Sequence, residues 1–188
     1  MPNPHFPVTV YSMSDIIQRE HPVLRGIAQL VPHEKIGTPE IDAIIKDMSA
    51  TMAEQRDGVA IAAPQIGIPL RIFVVSEKLL SKADPDFKGN GSDLVFINPK
   101  IIKLSKDKKL VEEGCLSVRW LYGKIKRSTR VSLVAYNEKG EKIERGASGL
   151  LAQIFQHETD HLNGVLFIDK AKEVWEMSAE EIAEVQRK

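Results

Sequence analysis

The chain has 188 residues, 43% of them hydrophobic and 28% charged, the proportions of a globular domain with room for one substantial core. Its 26 basic and 26 acidic side chains balance, which excludes a global field steering it toward nucleic acid, membranes or acidic substrates. The single cysteine, Cys115, excludes an intrachain disulfide and fits a reducing compartment.

The opening stretch "MPNPHFPVTVYSMSD" lacks the basic-then-apolar layout of a secretory signal and the arginines of a transit peptide. No apolar run approaches the roughly 20 residues of a membrane span. These features predict a cytoplasmic protein, folded as one domain over residues 1–188.

"GTPEIDAIIKDMSATMAEQRDG" (37–58) is the first helix. Thr38 suits its cap, Pro39 the first helical position and Gly58 a left-handed stop. Ile41, Ile44, Ile45, Met48 and Met52 make its apolar stripe. Strands follow at 70–76, 93–102 and 129–136, rich in β-branched and aromatic residues. A surface loop over 81–93 separates the first two. "NEKGEK" (137–142) predicts a hairpin turn into a fourth strand near Ile143. The basic clusters "KLSKDKK" (103–109) and "GKIKRSTR" (123–130) contain no aromatics interleaved for base stacking, so they are assigned to solvated loops and strand ends. A second helix is expected from Gly149 to about Leu162, stopped by Asn163-Gly164. A terminal one spans about 178–187, with Ser178 and Glu181 as a capping box. Strands framing a late, buried helix predict an α+β fold with mixed, mainly antiparallel strands.

That late helix carries "IFQHETDHLNG" (154–164), with His157, Glu158 and His161 in the order H-E-x-x-H. On a wheel turning about 100° per residue, Leu150, Ile154, His157 and His161 share one sector. Leu151, Phe155, Glu158 and Leu162 flank it, and Gln153, Gln156, Thr159 and Asp160 fall opposite. A carboxylate on a buried face costs several kcal/mol unless compensated, and the i, i+4 spacing lets two imidazoles converge on one ion. The bland alternative is a pair of core histidines bonded to carbonyls and a glutamate paired with an arginine.

Two histidines do not complete a metal site. A third histidine in the metzincin pattern falls on Phe167, which binds no metal. A glutamate from a later helix, Glu180 or Glu181, would come from what reads as a capped surface element. Cys115, in the glycine-containing segment "EEGCLSV" (112–118), remains. Alone it would read as a small buried hydrophobe. With two imidazoles its thiolate gives three ligands and leaves a fourth position for water, the layout of a catalytic site.

Three segments together, "GVAIAAPQIG" (58–67), "EGCLS" (113–117) and "QHETDH" (156–161), resemble the signature motifs of the peptide deformylases. "HPVLR" (21–25) and "NGVLFID" (163–169) extend the likeness over roughly residues 15–170. The resemblance implies removal of the formyl group from the N-terminal formylmethionine of nascent polypeptides. It implies one divalent ion on Cys115, His157 and His161, usually iron(II), with zinc, nickel or cobalt also accommodated. The ion would acidify a water and polarise the formyl oxygen. Glu158 would act as general acid/base. The Gln65 amide and the Leu116 backbone N–H would stabilise the oxyanion.

Extended backbone at Gly58, Val59 and Ala60 and at Glu113, Gly114 and Cys115 would receive the peptide as an added strand. Ile154 and Phe155 would contribute to the methionine pocket. The terminal segment "SAEEIAEVQRK" is a candidate ribosome contact; the resemblance implies no direct recognition of nucleic acid and no membrane.

Two departures stand out. Ala60 replaces a glycine usual in the first motif, and Tyr122 and Gly123 fall near the place of a substrate-side arginine. Arg127 is assigned instead to a structural pair with Glu113. The competing functions are a metallopeptidase of other specificity and a catalytically silent relative that binds nascent chains or metal.

Overall fold

The computed structural model describes residues 15–83, 87, 89 and 91–187. The opening segment 1–14, and part of the loop assigned to 81–93, lie outside the described residues. In chain order the elements are α1 (Pro39–Glu54), β1 (Ala60–Ala62), β2 (Ile72–Val75), α2 (Glu77–Ala83), β3 (Leu94–Leu104) and β4 (Lys108–Gly114). They continue with β5 (Leu121–Ser128), β6 (Arg130–Tyr136), β7 (Lys142–Ser148), α3 (Gly149–His161), β8 (Glu173–Glu176) and α4 (Ala179–Arg187). A five-stranded sheet has the order β1-β2-β3-β6-β7, and a three-stranded sheet the order β4-β5-β8. Every strand pair is antiparallel. This is the expected α+β architecture.

The larger sheet is buried on both faces around β2, which is why that strand reads as an unbroken apolar run, whereas β6 and β7 alternate. Phe73 and Val75 point to one side, where they pack with Phe96, Leu133 and the Leu151, Ala152 and Phe155 of α3. Ile72 and Val74 point to the other, against Ile41, Ile45, Met48 and Met52 of α1. The period-2 side-chain alternation of one strand thus feeds two separate cores. α3 is held against one face by aromatic contacts. Phe155 meets Phe96 edge-on with ring centroids 5.0 Å apart and Phe73 at 6.0 Å.

Several local signals behave as expected. The hairpin between β6 and β7 closes with Asn137 N–H on the Glu141 carbonyl at 3.0 Å, and Gly140 takes φ 77°. Ser178 and Glu181 exchange the two bonds of a capping box at α4. Others differ. The Thr38 hydroxyl bonds the Lys35 carbonyl rather than capping α1. α1 ends at Glu54, and Gly58 does not adopt a left-handed conformation. Gly58 instead lies where an added Cβ would come within 2.9 Å of Gln55 Cβ and 3.1 Å of the Met52 carbonyl.

β4, β5 and β8 were not anticipated. Their exposed faces carry charges, so "KLSKDKK" and "GKIKRSTR" lack the apolar alternation that marks a half-buried strand. Arg127, within the second cluster, is buried rather than solvated. The smaller sheet also corrects the wheel of α3. The face carrying Gln153, Gln156 and Asp160 does not meet solvent but packs toward this sheet. Gln156 is buried, accepting from Ser128 N–H at 2.9 Å and donating to the Ser128 carbonyl at 3.0 Å. Gln153 donates to the Glu112 carbonyl at 2.8 Å. No helix among the described residues is long and apolar enough to cross a membrane.

Phe155→Ala leaves a cavity between α3 and the larger sheet and is expected to cost about 3–5 kcal/mol. Urea denaturation of the metal-free protein measures it; a loss under 1 kcal/mol would show that this contact does not anchor the helix.

Candidate active site

The cleft lies where the two sheets and α3 meet, with a volume of about 220 Å³. One wall is Gly58, Val59 and Ala60, leading into β1; the other is Glu112, Glu113 and Gly114 at the end of β4. Both β1 and β4 are edge strands, each paired on one side only. Their free backbone groups are what an added peptide strand requires. Leu150 and Ile154 of α3 line the apolar part. Phe155, expected beside them, is 0% exposed and belongs to the aromatic core with Phe73 and Phe96. Its 100° offset from Ile154 turns it onto the sheet.

At the floor, the ligand atoms of Cys115, His157 and His161 lie within 4.8 Å of one another. Cys115 Sγ is 3.2 Å from His161 Nε2. The two imidazoles are one helical turn apart on α3, with centroids 4.9 Å apart. Cys115 follows the last residue of β4, where a tight turn closes with Val118 N–H on the Cys115 carbonyl at 3.0 Å. Phe167 is buried and stacks on His157 at 6.5 Å. Its place is therefore that of a packing residue, as its apolar ring requires.

Donor set and surroundings both fit a divalent ion. A soft sulfur with two imidazole nitrogens suits iron or zinc. Glu158 is 3% exposed, and its Oε2 has no hydrogen-bond partner. Such a group is costly in a purely structural core. Burial, with the Glu113 and Asp160 charges, raises the Glu158 carboxyl to about 7 against the opposing charges of His157 and Arg127. Burial opposes charging His157, yet the Cys115 and Glu113 hydrogen bonds and the Glu158 charge together raise its pKa well above the usual value. Burial and the His157 charge push His161 well below it. The pattern is that of an anionic pocket that retains a proton on one ring, which a cation would displace.

Behind the ligands, His157 Nδ1 meets Glu113 Oε2 at 2.9 Å, leaving Nε2 for a metal. Glu113 takes two parallel bonds from Arg127, both 2.8 Å. Arg127 continues to Asp160 at 2.6 Å, and Lys170 reaches Asp160 from the surface at 2.6 Å. Burial works against the Glu113 charge, but the Arg127 and His157 bonds outweigh it and hold the carboxyl at about 2. The Arg127–Glu113 pair expected from the sequence is thus present, and it holds His157, one of the candidate ligands.

Gln65 sits in a 3-10 turn, Ala63–Ile66, closed by Gly67 at φ 79°. Its Oε1 accepts from Ala62 N–H at 2.8 Å, so its Nε2 is the end presented to Ser117 Oγ at 3.2 Å and Cys115 Sγ at 3.6 Å. Leu116, also lining the cleft, has its carbonyl held by Gln18 Nε2 at 3.1 Å. Ile17 N–H bonds the Gln65 carbonyl at 2.9 Å. The segment 17–18 therefore braces both Gln65 and Leu116. Nothing in the local pattern around Gln18 signals this, because the partner lies 98 residues away.

Ala60 has no left-handed φ and pairs with Val75 as an ordinary extended residue, so replacing glycine there imposes no backbone strain. Tyr122 does stand at the cleft, as a phenol. A guanidinium reaches the rim from elsewhere. Arg119 holds Asp57 through bonds of 2.6 and 3.1 Å and Gln55 at 3.0 Å.

A cysteine sulfur and two imidazoles on an H-E-x-x-H helix, beside a buried glutamate whose Oε2 has no partner, form a group that could hold one metal ion in the manner of a metallohydrolase. Residues 13–176 match the model of the polypeptide deformylase family, and the chain belongs to that family. It is 38% identical to a peptide deformylase of Desulforudis audaxviator over 160 residues, covering 85% of this chain and 94% of that one. The peptide deformylase of Thermotoga maritima has a similar structure, with TM-score 0.74 and 36% identity over 87% of this chain and all of that one. A deformylase from Acinetobacter baumannii, solved with Met-Ala-Ser bound, has TM-score 0.74 and 34% identity, covering 84% of this chain and 98% of that one. Family members are metal-dependent hydrolases, and the cluster here is of the kind such an enzyme requires.

Glu113→Gln keeps an acceptor for His157 but removes the charge. It is expected to weaken metal binding by about 10- to 100-fold. Competition with a chromophoric chelator measures this; unchanged affinity would remove Glu113 from the support of the site.

Proposed function

We infer that this chain hydrolyses the formyl group from the N-terminal formylmethionine of nascent polypeptides, giving formate and a free amine. The observation that carries the reading is the convergence of Cys115, His157 and His161 beside Glu158, whose Oε2 has no hydrogen-bond partner, at the bottom of a cleft walled by two open strand edges. A divalent ion held by the three ligands, for which we propose iron(II) with zinc, nickel or cobalt as substitutes, supplies Lewis acidity toward water and the formyl oxygen.

The chain's own groups do the rest. Gly58, Val59 and Ala60 on one side and Gly114 on the other bond the substrate backbone. This contact reads main chain and so serves many different proteins. Ile154 receives the methionine side chain, together with Leu150. Such placement holds the formyl carbon over the floor of the cleft, and much of the rate gain comes from that fixed geometry. Glu158 takes a proton from the attacking water and delivers it to the departing amine nitrogen, so the C–N bond breaks without expelling an amide anion. Glu158 is suited to this because it is buried beside the three candidate ligands and its Oε2 has no competing hydrogen-bond partner. The Gln65 Nε2 and the Leu116 N–H donate to the oxyanion as it forms. Gln65 is preorganised for this because its oxygen is already spent on Ala62.

We propose that it acts in the cytoplasm, where nascent formylated chains emerge. The exposed helix α4 is the segment we assign to contact with the ribosome.

Anaerobically prepared protein is expected to release formate from formyl-Met-Ala-Ser. Glu158→Ala should lose at least a hundredfold in kcat while keeping its metal. Cleavage of internal peptide bonds would favour a different metallopeptidase, and metal binding without formate release a silent relative.

A further inference from the structure

Tyr122 occupies a position whose consequences go beyond closing the cleft. Across the smaller sheet, Gly114, Tyr122 and Trp175 are register partners in one row. A Cβ on Gly114 would stand 2.7 Å from Tyr122 Cε1 and 2.8 Å from Cζ. The phenol ring therefore lies across Gly114, toward the open edge of β4. Trp175 backs it from the other side, with ring centroids 6.4 Å apart and planes at 27°. Tyr122 is itself a lining residue of the cleft, together with Trp120. The Arg119 guanidinium covers the Trp120 ring at 4.6 Å and is fixed by Asp57.

The register says which part of a substrate meets this aromatic surface. Side chains alternate along β4. Glu113 turns inward to His157 and Arg127, so Glu112 and Gly114 face the opposite way, the side on which the Tyr122 ring lies. A peptide strand laid on this edge alternates in the same manner. With its methionine turned inward to Ile154 and Leu150, its next residue turns outward, beside Gly114. Only a residue without a Cβ at 114 lets the Tyr122 ring extend far enough to touch it.

We propose that Tyr122, reaching over Gly114 and backed by Trp175, is a specificity platform for the second residue of the peptide, favouring aromatic and large apolar side chains. The inference rests on the deformylase reading and deepens it. Main-chain pairing accepts any sequence; the platform grades sequences by what packs on a π-face. An acidic second residue brings no apolar face to the ring and gains nothing from the platform.

The test compares kcat/KM for formyl-Met-Phe-Ser, formyl-Met-Leu-Ser, formyl-Met-Gly-Ser and formyl-Met-Asp-Ser with metal-loaded protein. The expected preference for Phe over Gly is roughly three- to tenfold. Tyr122→Ala should reduce that ratio to below about twofold, Tyr122→Phe should retain it, and Trp175→Ala should lower it part of the way. Each ratio is internal to one preparation, so partial loss of folded protein in a variant cancels. Equal use of Phe and Gly by the unsubstituted protein, or a ratio unchanged in Tyr122→Ala, overturns the platform. Formate from formyl-Met-Gly-Ser in those cases leaves the deformylase reading standing. Absence of formate from every formyl-peptide overturns both.

Discussion

The structure depends on one meeting: a sulfur from the turn after β4 and two imidazoles from α3 brought to within 4.8 Å of one another. Neither element could justify its composition alone. α3 buries His161 and Glu158 and half-buries His157 on a helix that also anchors the aromatic core, and a buried polar group costs free energy without a partner. β4 delivers Glu113, a carboxylate at 5% exposure, into the same space. The ion we propose at the meeting point would answer these costs together, and the Glu113–Arg127–Asp160 chain holds His157 in place to receive it. Breaking one member would strand a buried charge, which is far costlier than the pair is stabilising.

The division of the fold into two sheets follows from the same need. The five-stranded sheet, with α1 on one face and α3 on the other, supplies rigidity. Its edge strand β1 supplies one wall. The three-stranded sheet contributes little apolar core of its own and leans on α3 through Gln153 and Gln156. In exchange it carries the sulfur, the carboxylate behind His157 and the second wall. The candidate site thus lies at the seam between a well-packed body and a more polar flap of sheet. The Gln18 and Ile17 bonds close that seam from the N-terminal side.

What was legible in the sequence had a short period or a demanding chemistry. The H-E-x-x-H spacing fixed three groups on one helix, and the lone thiol was the ligand left once Phe167 and the late glutamates were discarded. Helices α1 and α3 and strands β2, β3 and β6 showed their apolar periods. β4 and β5 were hidden because their outward faces are charged. Phe155 was misplaced because a helical wheel does not say which of two adjacent buried directions meets the sheet and which meets the cleft. Gly58 read as a helix stop, although the local crowding of Gln55 and Met52 is what requires it. The braces at Gln18 and Arg119 join positions 98 and 62 residues apart; no local pattern encodes such pairings.

The most direct test of the shared ion is cobalt(II) substitution followed by absorption spectroscopy. One cobalt per chain is expected, with a sulfur-to-cobalt charge-transfer band that disappears in Cys115→Ser and a ligand-field spectrum perturbed in His157→Ala and His161→Ala. Stoichiometric cobalt with no sulfur band, or a band indifferent to both histidines, would contradict a centre built from these three side chains.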